Sequence, residues 1–179
     1  DLAASLRTLP GAEDLDTVRG IEGEAARQYF GCFNKLVRSD AREVFALDGR
    51  TRRPPRDRMN ALLSFLYSML MNDCRSAVES VGMDPQLGFL HALRPGRAAL
   101  ALDLMEEFRH QADRLALTLV NRGQVRADDF MLHEGGGFTL AEQGRKAVVV
   151  AWQERKQEDI SPPLLEEPVA LGLLLQLQA

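Results

Sequence analysis

The segment from Asp57 to Val81 constrains the fold more strongly than any other part of the sequence. Its apolar residues recur at intervals of three and four: Met59, Leu62, Leu63, Leu66, Leu70, Cys74, Ala77 and Val81. This spacing puts the apolar side chains on one face of an α-helix, and that face must be covered by other parts of the chain. Asp57 is suited to cap the first turn, and Gly82 to end the helix. The pattern therefore predicts a long helix at the centre of the core.

Two further segments have the same period and predict a mainly all-α protein. Residues 13–37 place these side chains on one helical face: Val18, Ala25, Tyr29, Phe33 and Leu36. Residues 97–122 place these on another: Ala101, Met105, Phe108, Ala112, Leu115 and Leu119. Apolar faces of this width are typical of helices that pack on a common core.

The second half of the chain contains signals for turns and for helix ends. The sequence Thr139-Leu140-Ala141-Glu142 is a capping box and predicts a helix from there to about Asp159. Pro162-Pro163 should break the chain before a last apolar helix from about Pro168. Gly135-Gly136-Gly137 favours a short hairpin, and Asp128-Asp129 a short helical turn. The expected fold is therefore a compact helical domain with at most a small β-hairpin.

Length, charge and cysteine content limit the functional classes. With 179 residues, 45% of them hydrophobic, the chain can form one domain with a buried core. The net charge of −4 argues against a uniformly basic nucleic-acid-binding protein, although basic side chains can still gather locally. The longest apolar run, residues 61–71, is too short to span a bilayer, and no signal peptide is visible. We therefore expect an intracellular protein in which Cys32 and Cys74 are buried, reduced thiols.

Both ends of the sequence predict missing flanking segments. The chain starts at Asp1 without a methionine and stops at Ala179, inside an apolar helical pattern that lacks a stop signal. We therefore expect residues 1–179 to be one domain truncated at both ends.

One histidine and a set of acidic residues form a candidate metal site. His91 follows the apolar turn Gly88-Phe89-Leu90, and Asp103, Glu106 and Glu107 lie opposite the apolar face of the next helix. Glu22 shares the apolar face of its helix, whereas Glu24 points to solvent, so only Glu22 is expected to face inward. One imidazole with two or three carboxylates suits Mg²⁺ or Mn²⁺. The alternatives are a buried ion pair for Glu22 and an ordinary acidic helix surface for the other three.

Arginines are the candidate contacts to phosphate. The segment Arg50–Arg58 carries five of them around Pro54-Pro55, which exclude a helix there. Planar, forked guanidinium groups suit phosphate oxygens, and a merely solvated loop is the alternative. The candidate residues for such phosphate contacts are Arg52, Arg53, Arg56, Arg94, Arg97, Arg155 and Lys156.

Several of these stretches together resemble a known family. The series consists of Arg19-Gly20-Ile21-Glu22-Gly23, Arg52-Arg53-Pro54-Pro55-Arg56, residues 60–67, Gly82-Met83-Asp84-Pro85, Gly88-Phe89-Leu90-His91, residues 103–109 and residues 152–156. In this order it is similar to the spacer integrase of CRISPR adaptation, the first-numbered Cas protein and a metal-dependent endonuclease. Among its subtypes, the chain resembles type I subtype C or the fused forms most.

The resemblance implies a fold, a set of ligands and a set of partners. The chain would be the α-helical catalytic domain, without the family's amino-terminal β-rich domain, which mediates homodimerisation in the full-length protein. Glu22, His91 and Glu106 would bind Mg²⁺ or Mn²⁺, with Asp103 as a second catalytic acid. The implied partners are double-stranded prespacer and repeat DNA and the small second Cas protein, in a prokaryotic cytoplasm and away from membranes. His110 departs from the family, which often has proline there.

The implied reaction inserts prespacer DNA into the CRISPR array by transesterification from a 3′-hydroxyl. Two other functions are compatible with the sequence. One is a helical DNA-binding module without catalytic activity. The other is a stand-alone metal-dependent nuclease or a transposon-borne integrase.

Overall fold

The computed structural model describes residues 2–161 and 167–179, and this part of the chain is mainly helical. The helices are α1 (Leu2–Thr8), α2 (Leu15–Phe33), α3 (Ser39–Phe45), α4 (Arg58–Ser80), α5 (Ala99–Asn121), α6 (Glu142–Gln157) and α7 (Leu171–Gln178). Short 3₁₀ turns occupy Leu9–Gly11, Asn34–Leu36 and Ala127–Asp129. The strands are β1 (Phe130–Leu132), β2 (Phe138–Leu140), β3 (Asp159–Ile160) and β4 (Val169–Ala170). The mainly α fold expected from the sequence is confirmed.

The central helix is α4, as the spacing of its apolar residues predicts. Its N-cap is Asp57, whose side chain accepts a hydrogen bond from the backbone N–H of Asn60 at 2.7 Å. After Ser80 the chain turns at Gly82, whose φ of +82° favours glycine. Leu62, Leu66 and Leu70 are fully buried. Full burial of one such side chain contributes about 1.5–3 kcal/mol, so the three together contribute roughly 5–9 kcal/mol.

The other helices pack around α4. Helix α5 lies against it, and its buried residues include Met105, Phe108 and Ala112, as predicted. Helices α3 and α7 and strand β2 cover other parts of α4. Trp152 of α6 is fully buried, and its indole N–H donates to Asp73 Oδ2 at 2.7 Å. Helix α2 is less deeply packed, since Phe33 is its only fully buried residue among those described.

The β-structure is slightly larger than the sequence predicts. The expected hairpin is confirmed as the antiparallel pair β1–β2, in which Phe130 faces Leu140. A second antiparallel pair joins β3 to β4 and delays the start of the last helix from about Pro168 to Leu171. The expected chain break at Pro162-Pro163 lies outside the described residues.

Two local predictions are wrong. The capping box is absent, because Thr139 lies in β2 opposite Met131 and the N-cap of α6 is Ala141, which makes no side-chain cap hydrogen bond. Cys32 is exposed, whereas Cys74 is buried as expected. Among the described helices, none has the length and apolar character needed to cross a membrane.

Candidate active site

A buried carboxylate holds the loop between α4 and α5. Asp103 accepts hydrogen bonds from three successive backbone N–H groups, those of Phe89 at 2.6 Å, Leu90 at 3.0 Å and His91 at 2.9 Å. Gly88 makes the close approach possible, because a Cβ there would lie 2.7 Å from Asp103 Oδ2 and from Ala99. The loop is therefore held by Asp103, which lies one helical turn before Glu106, the candidate metal ligand on α5.

The same carboxylate orients the imidazole of His91. Asp103 Oδ1 lies 2.6 Å from His91 Nδ1, and the side chain of Asp103 is 0% exposed. Burial opposes ionisation of Asp103, but the hydrogen bonds from the His91 ring and the loop backbone outweigh it and lower its pKa. An ionised Asp103 places the ring proton on Nδ1 and leaves the Nε2 lone pair free. In metalloproteins a carboxylate often orients a ligating histidine in this way.

Glu106 lies on the open side of the imidazole. Its Oε1 is 3.9 Å from His91 Nε2 and 2.6 Å from Arg109 Nη2. Burial raises the pKa of Glu106, and the charge of Glu22 raises it further, while Arg109 and His91 oppose the rise. Glu106 Oε1 has no partner with hydrogen-bond geometry among the described residues. This oxygen is therefore a buried acceptor that is paired by charge but not by a formed hydrogen bond.

Glu22 reaches the same place from α2 but is not buried. The predicted inward orientation is wrong, because the side chain is exposed and only Phe33 is fully buried among the described residues of α2. Glu22 and Glu106 nevertheless line one cavity of about 510 Å³ with Leu90. Glu24 points away and pairs with Arg27 at 2.8 Å on the surface, as predicted. The structure thus brings Glu22 beside the His91–Glu106 pair and leaves Glu24 outside.

A divalent cation fits the chemistry of this donor set. His91 Nε2 lies 3.9 Å from the unsatisfied Glu106 Oε1, and Glu22 adds a second carboxylate at the cavity that Glu106 lines. Oxygen ligands with one imidazole suit Mn²⁺ and, with more water ligands, Mg²⁺. Within residues 2–161 and 167–179, no three His, Cys, Asp or Glu side chains lie close enough to hold a metal as they stand. A site that uses all three of these ligands would therefore need their side chains to move closer together.

Sequence reasoning missed a buried polar network behind the site. Asp113 is 5% exposed and accepts hydrogen bonds from the hydroxyls of Tyr67 at 2.6 Å and Tyr29 at 3.1 Å. Burial raises the pKa of Asp113, and these two hydroxyls oppose the rise. Arg50 and Arg109 lie over the Tyr67 ring, 5.2 and 5.5 Å from its centroid. The network ties α2, α4 and α5 together, and Arg109 links it to Glu106.

The sequence contains a weak signal for this network. Asp113 is followed at intervals of three and seven by Ala116 and Val120, which are both buried. They mark a second apolar stripe on α5 beside the first. An acid in such a stripe must find partners inside the protein.

Four of the predicted arginines gather near His91. Arg52, Arg53, Arg94 and Arg97 line a cavity of about 650 Å³. A neighbouring cavity of about 250 Å³ is lined by His91 together with Arg52, Arg53, Arg97 and Arg109. We call Arg52, Arg53, Arg94 and Arg97 the arginine cluster. Its position beside His91 gives the acidic protein a locally basic surface next to the candidate metal site.

The other predicted DNA contacts lie elsewhere in the structure. Arg56 donates to the carbonyl of Gly135 at 3.2 Å and so contacts the turn of the β1–β2 hairpin. Arg155 is 12% exposed, donates to Gln111 Oε1 at 2.5 Å and pairs with Glu158. Lys156 pairs with Asp73 of α4 at 2.9 Å. A DNA contact for these three stays a prediction, but for Arg155 and Lys156 the observed contacts hold α6 against α5 and α4.

Comparison with known proteins supports a common fold and family. The sequence model of the family described as "CRISPR associated protein Cas1" matches residues 1–154. The CRISPR-associated endonuclease Cas1 1 of Moorella thermoacetica is 54% identical over 180 residues, which cover 100% of this chain and 52% of that protein. The chain therefore spans about half the length of this relative.

Two solved structures are similar over nearly the whole chain. One is a casposase bound to an integration product, with a TM-score of 0.89 and 27% identity, covering 99% of this chain and 49% of that one. The other is a Cas6-RT-Cas1–Cas2 complex, with a TM-score of 0.84 and 29% identity, covering 98% of this chain and 19% of that one. Both likenesses extend over the two helices that carry Glu22 and Glu106 and over the loop that carries His91.

Replacing Asp103 tests its role in holding the loop. We expect Asp103→Asn to lower the free energy of unfolding by about 2–4 kcal/mol at pH 7, because hydrogen bonds to a charged group contribute about 1.5–3 kcal/mol each and add incompletely. The pKa of Asp103 is lowered in the folded protein, so its ionised form stabilises the fold above the unfolded-state pKa of about 3.9. This stabilisation is lost as the pH falls through the folded-state pKa.

Urea unfolding of wild type and variant at pH 7 and at successively lower pH measures both effects. The matched control is Asp48→Asn, at an exposed aspartate, which should change the stability by less than about 0.5 kcal/mol. An Asp103→Asn variant as stable as the wild type at pH 7 would show that the carboxylate does not hold the loop.

Proposed function

Because the chain belongs to the Cas1 family of CRISPR-associated proteins, we propose that it is the catalytic part of a DNA integrase that acts in CRISPR adaptation. In this reaction a DNA 3′-hydroxyl attacks a phosphodiester of the CRISPR repeat. The observation that carries the proposal is the arrangement of His91, oriented by Asp103 toward Glu106, at the edge of the arginine cluster. The related proteins named as endonucleases support nuclease chemistry at this site.

The reaction exchanges one phosphodiester for another. The attacking 3′-hydroxyl loses its proton as its oxygen forms a bond to phosphorus. The bond from phosphorus to the leaving 3′-oxygen breaks, and that oxygen takes up a proton, so the reaction consumes no net proton. A bound Mg²⁺ or Mn²⁺ would supply the charge that polarises the phosphate and favours the hydroxyl's ionised form. Glu22, His91 and Glu106 would hold this ion, and Asp103 keeps His91 in the tautomer that can ligate.

The remaining residues of the site bind and position the DNA backbone. The guanidinium groups of Arg52, Arg53 and Arg97 line the cavity that His91 also lines, so they can contact phosphates on either side of the reacting one. Such contacts carry no base-specific information. Sequence would then be read through DNA shape and through partner proteins.

The partners follow from the same comparisons. One similar structure is a casposase bound to an integration product, and another is a complex that contains Cas1 and Cas2. We therefore propose that this protein acts on double-stranded DNA together with Cas2. The proposal also includes a homodimer in the full-length form and a location in the prokaryotic cytoplasm. The type I subtype C or fused-form assignment is part of the proposal.

A transposon-borne integrase is the second candidate function. The similarity to a casposase favours it, with a TM-score of 0.89. The identity to that casposase is 27%, however, against 54% to a Cas1 endonuclease. A DNA-binding module without activity is disfavoured because His91, Glu106 and Asp103 are all present and lie together.

A branched DNA substrate tests the proposed chemistry. It carries a 3′-hydroxyl that abuts the phosphodiester at the branch, so attack of that hydroxyl rejoins the continuous strand and releases the branch. We expect strand joining with Mn²⁺ or Mg²⁺ and none with EDTA. Glu22→Gln, His91→Asn and Glu106→Gln should each lower the joining rate by more than about 100-fold, above the 10–100-fold typical of residues that only support a ligand.

The controls separate transesterification from hydrolysis and ligands from surface acids. A 3′-deoxy end at the branch should abolish joining, whereas cleavage by water would survive this change. Glu24→Gln and Glu107→Gln, at exposed acids on the same two helices, should join at the wild-type rate. Release of the branch from the 3′-deoxy substrate would assign the protein to the hydrolytic nucleases, and equal losses in all five variants would point to a general acidic surface.

The salt dependence of DNA binding tests the arginine cluster. We expect Arg52→Ala, Arg53→Ala and Arg97→Ala in one variant to weaken duplex binding similarly for unrelated sequences. Each lost phosphate contact should make the slope of log affinity against log salt shallower by about 0.9, so three contacts correspond to about 2–3 units. Fluorescence anisotropy at several salt concentrations measures the slope.

A matched triple variant controls for the change in net charge. Arg38, Arg122 and Arg126 are exposed and line a different cavity, so their replacement by alanine should leave the slope within about 0.5 of wild type. If the two triple variants have the same slope, the DNA does not contact the arginine cluster.

A further inference from the structure

Arg109 lies against the oxygen of Glu106 that faces His91. Its Nη2 is 2.6 Å from Glu106 Oε1, and the same oxygen is 3.9 Å from His91 Nε2. The side chains of Glu106 and Arg109 are only 20% and 22% exposed. One atom therefore serves both as the partner of an internal cation and as the oxygen nearest to the imidazole.

We propose that Arg109 is an internal counter-ion of the metal site, which occupies Glu106 Oε1 when no metal is bound and leaves it when a divalent cation binds. This inference rests on the proposed metal site and adds a residue that competes with the ion. It assigns Arg109 a positioning role, in which the arginine and the ion compete for one oxygen of Glu106.

The geometry of the contact suits displacement. Glu106 Oε1 and Arg109 Nε are both buried and without a hydrogen-bond partner among the described residues, although the two groups are in contact. The pair is therefore held by charge, and the fork of the guanidinium is not used to clamp the carboxylate. A divalent cation on the same oxygen would repel the guanidinium and replace its charge.

Other groups near Arg109 can stabilise its guanidinium after it leaves Glu106. The guanidinium lies over the Tyr67 ring, 5.5 Å from its centroid, and its charge also acts on the buried Asp113 carboxylate, which accepts a hydrogen bond from Tyr67. Arg109 also lines the cavity that contains His91 and three residues of the arginine cluster. After release from Glu106 it can keep its contact with Tyr67 and turn its guanidinium toward a DNA phosphate in that cavity.

A coupling between the two ligands follows from this arrangement. A phosphate that attracts Arg109 removes the competitor of the metal, and a metal on Glu106 frees Arg109 for the phosphate. Metal and DNA should therefore each increase the affinity for the other, because a coupling free energy is reciprocal. The isolated site should be a weak metal site that tightens when DNA is present.

Mn²⁺ binding to the purified protein without DNA tests the inference, with electron paramagnetic resonance of free Mn²⁺ as the readout. We expect Arg109→Met to bind Mn²⁺ about tenfold more tightly than wild type, as loss of one charge-assisted competitor implies. The matched control is Arg52→Met, since the charge of Arg52 also acts on Glu106 but Arg52 is exposed and makes no observed ion pair with it. This control should change the affinity less than about threefold.

Two further variants keep the outcome decisive. Glu106→Gln should abolish Mn²⁺ binding both in the wild type and in the Arg109→Met variant. If circular dichroism shows that Arg109→Met does not fold, Arg109→Gln takes its place. Equal or weaker Mn²⁺ binding in the Arg109 variants, with a wild-type site that depends on Glu106, overturns this inference alone. Equal tightening in Arg52→Met also overturns it, since the effect would then come from net charge. Absence of Mn²⁺ binding in every variant overturns both this inference and the proposed metal site.

Discussion

The hydrogen bonds accepted by Asp103 are the interaction on which the rest of the site depends. One carboxylate holds three successive backbone N–H groups of the loop and the Nδ1 atom of His91. Together with the bond from Arg19 to the carbonyl of Leu90, these bonds fix the course of the loop between α4 and α5, and the bond to Nδ1 fixes the tautomer of the imidazole. The position of Nε2 opposite Glu106 thus follows from a single buried acid on a rigid helix.

A second buried acid gives the site its frame. Asp113 joins the hydroxyls of Tyr67 and Tyr29, which lie on α4 and α2. Tyr29 is seven residues after Glu22 and therefore lies on the same side of α2. Since α2 has little buried surface of its own, this contact and the bond from Arg19 Nε to the carbonyl of Leu90 at 3.0 Å fix the helix that brings Glu22 to the cavity. At the site, the carboxylates of Asp103 and Glu106 lie next to His91, and arginine side chains surround them.

The helical period predicts most of the fold and part of the site. It identifies α4 and α5 within two residues at each end, because long apolar stripes must be buried wherever the helices pack. It does not predict what covers the opposite side of a helix. The period therefore groups Asp103 with the surface acids of α5, although the loop that it binds folds back over it. The prediction for Glu22 is wrong for the opposite reason, because α2 is loosely packed and its apolar face is not covered at Glu22.

Local sequence motifs predict the structure less well where a tertiary contact competes with them. Thr139 has the sequence context of a helix cap but pairs in β2, since the hairpin that covers α4 extends to Leu140. The arginine-rich loop is divided in a similar way. Arg50 bonds to Asn60 at 2.7 Å and Arg58 lies over Phe138, whereas Arg52 and Arg53 remain beside His91. Composition alone could not separate these structural arginines from those of the proposed DNA surface.

The most direct test of the account is a crystal structure of the protein with Mn²⁺, in which anomalous scattering locates the ion. We expect one manganese peak bonded to His91 Nε2 and to carboxylate oxygens of Glu106 and Glu22, with Asp103 still on His91 Nδ1 and Arg109 no longer on Glu106. A peak bonded to other residues, or Glu106 still paired with Arg109 at saturating Mn²⁺, would contradict the proposed metal site and its dependence on Asp103.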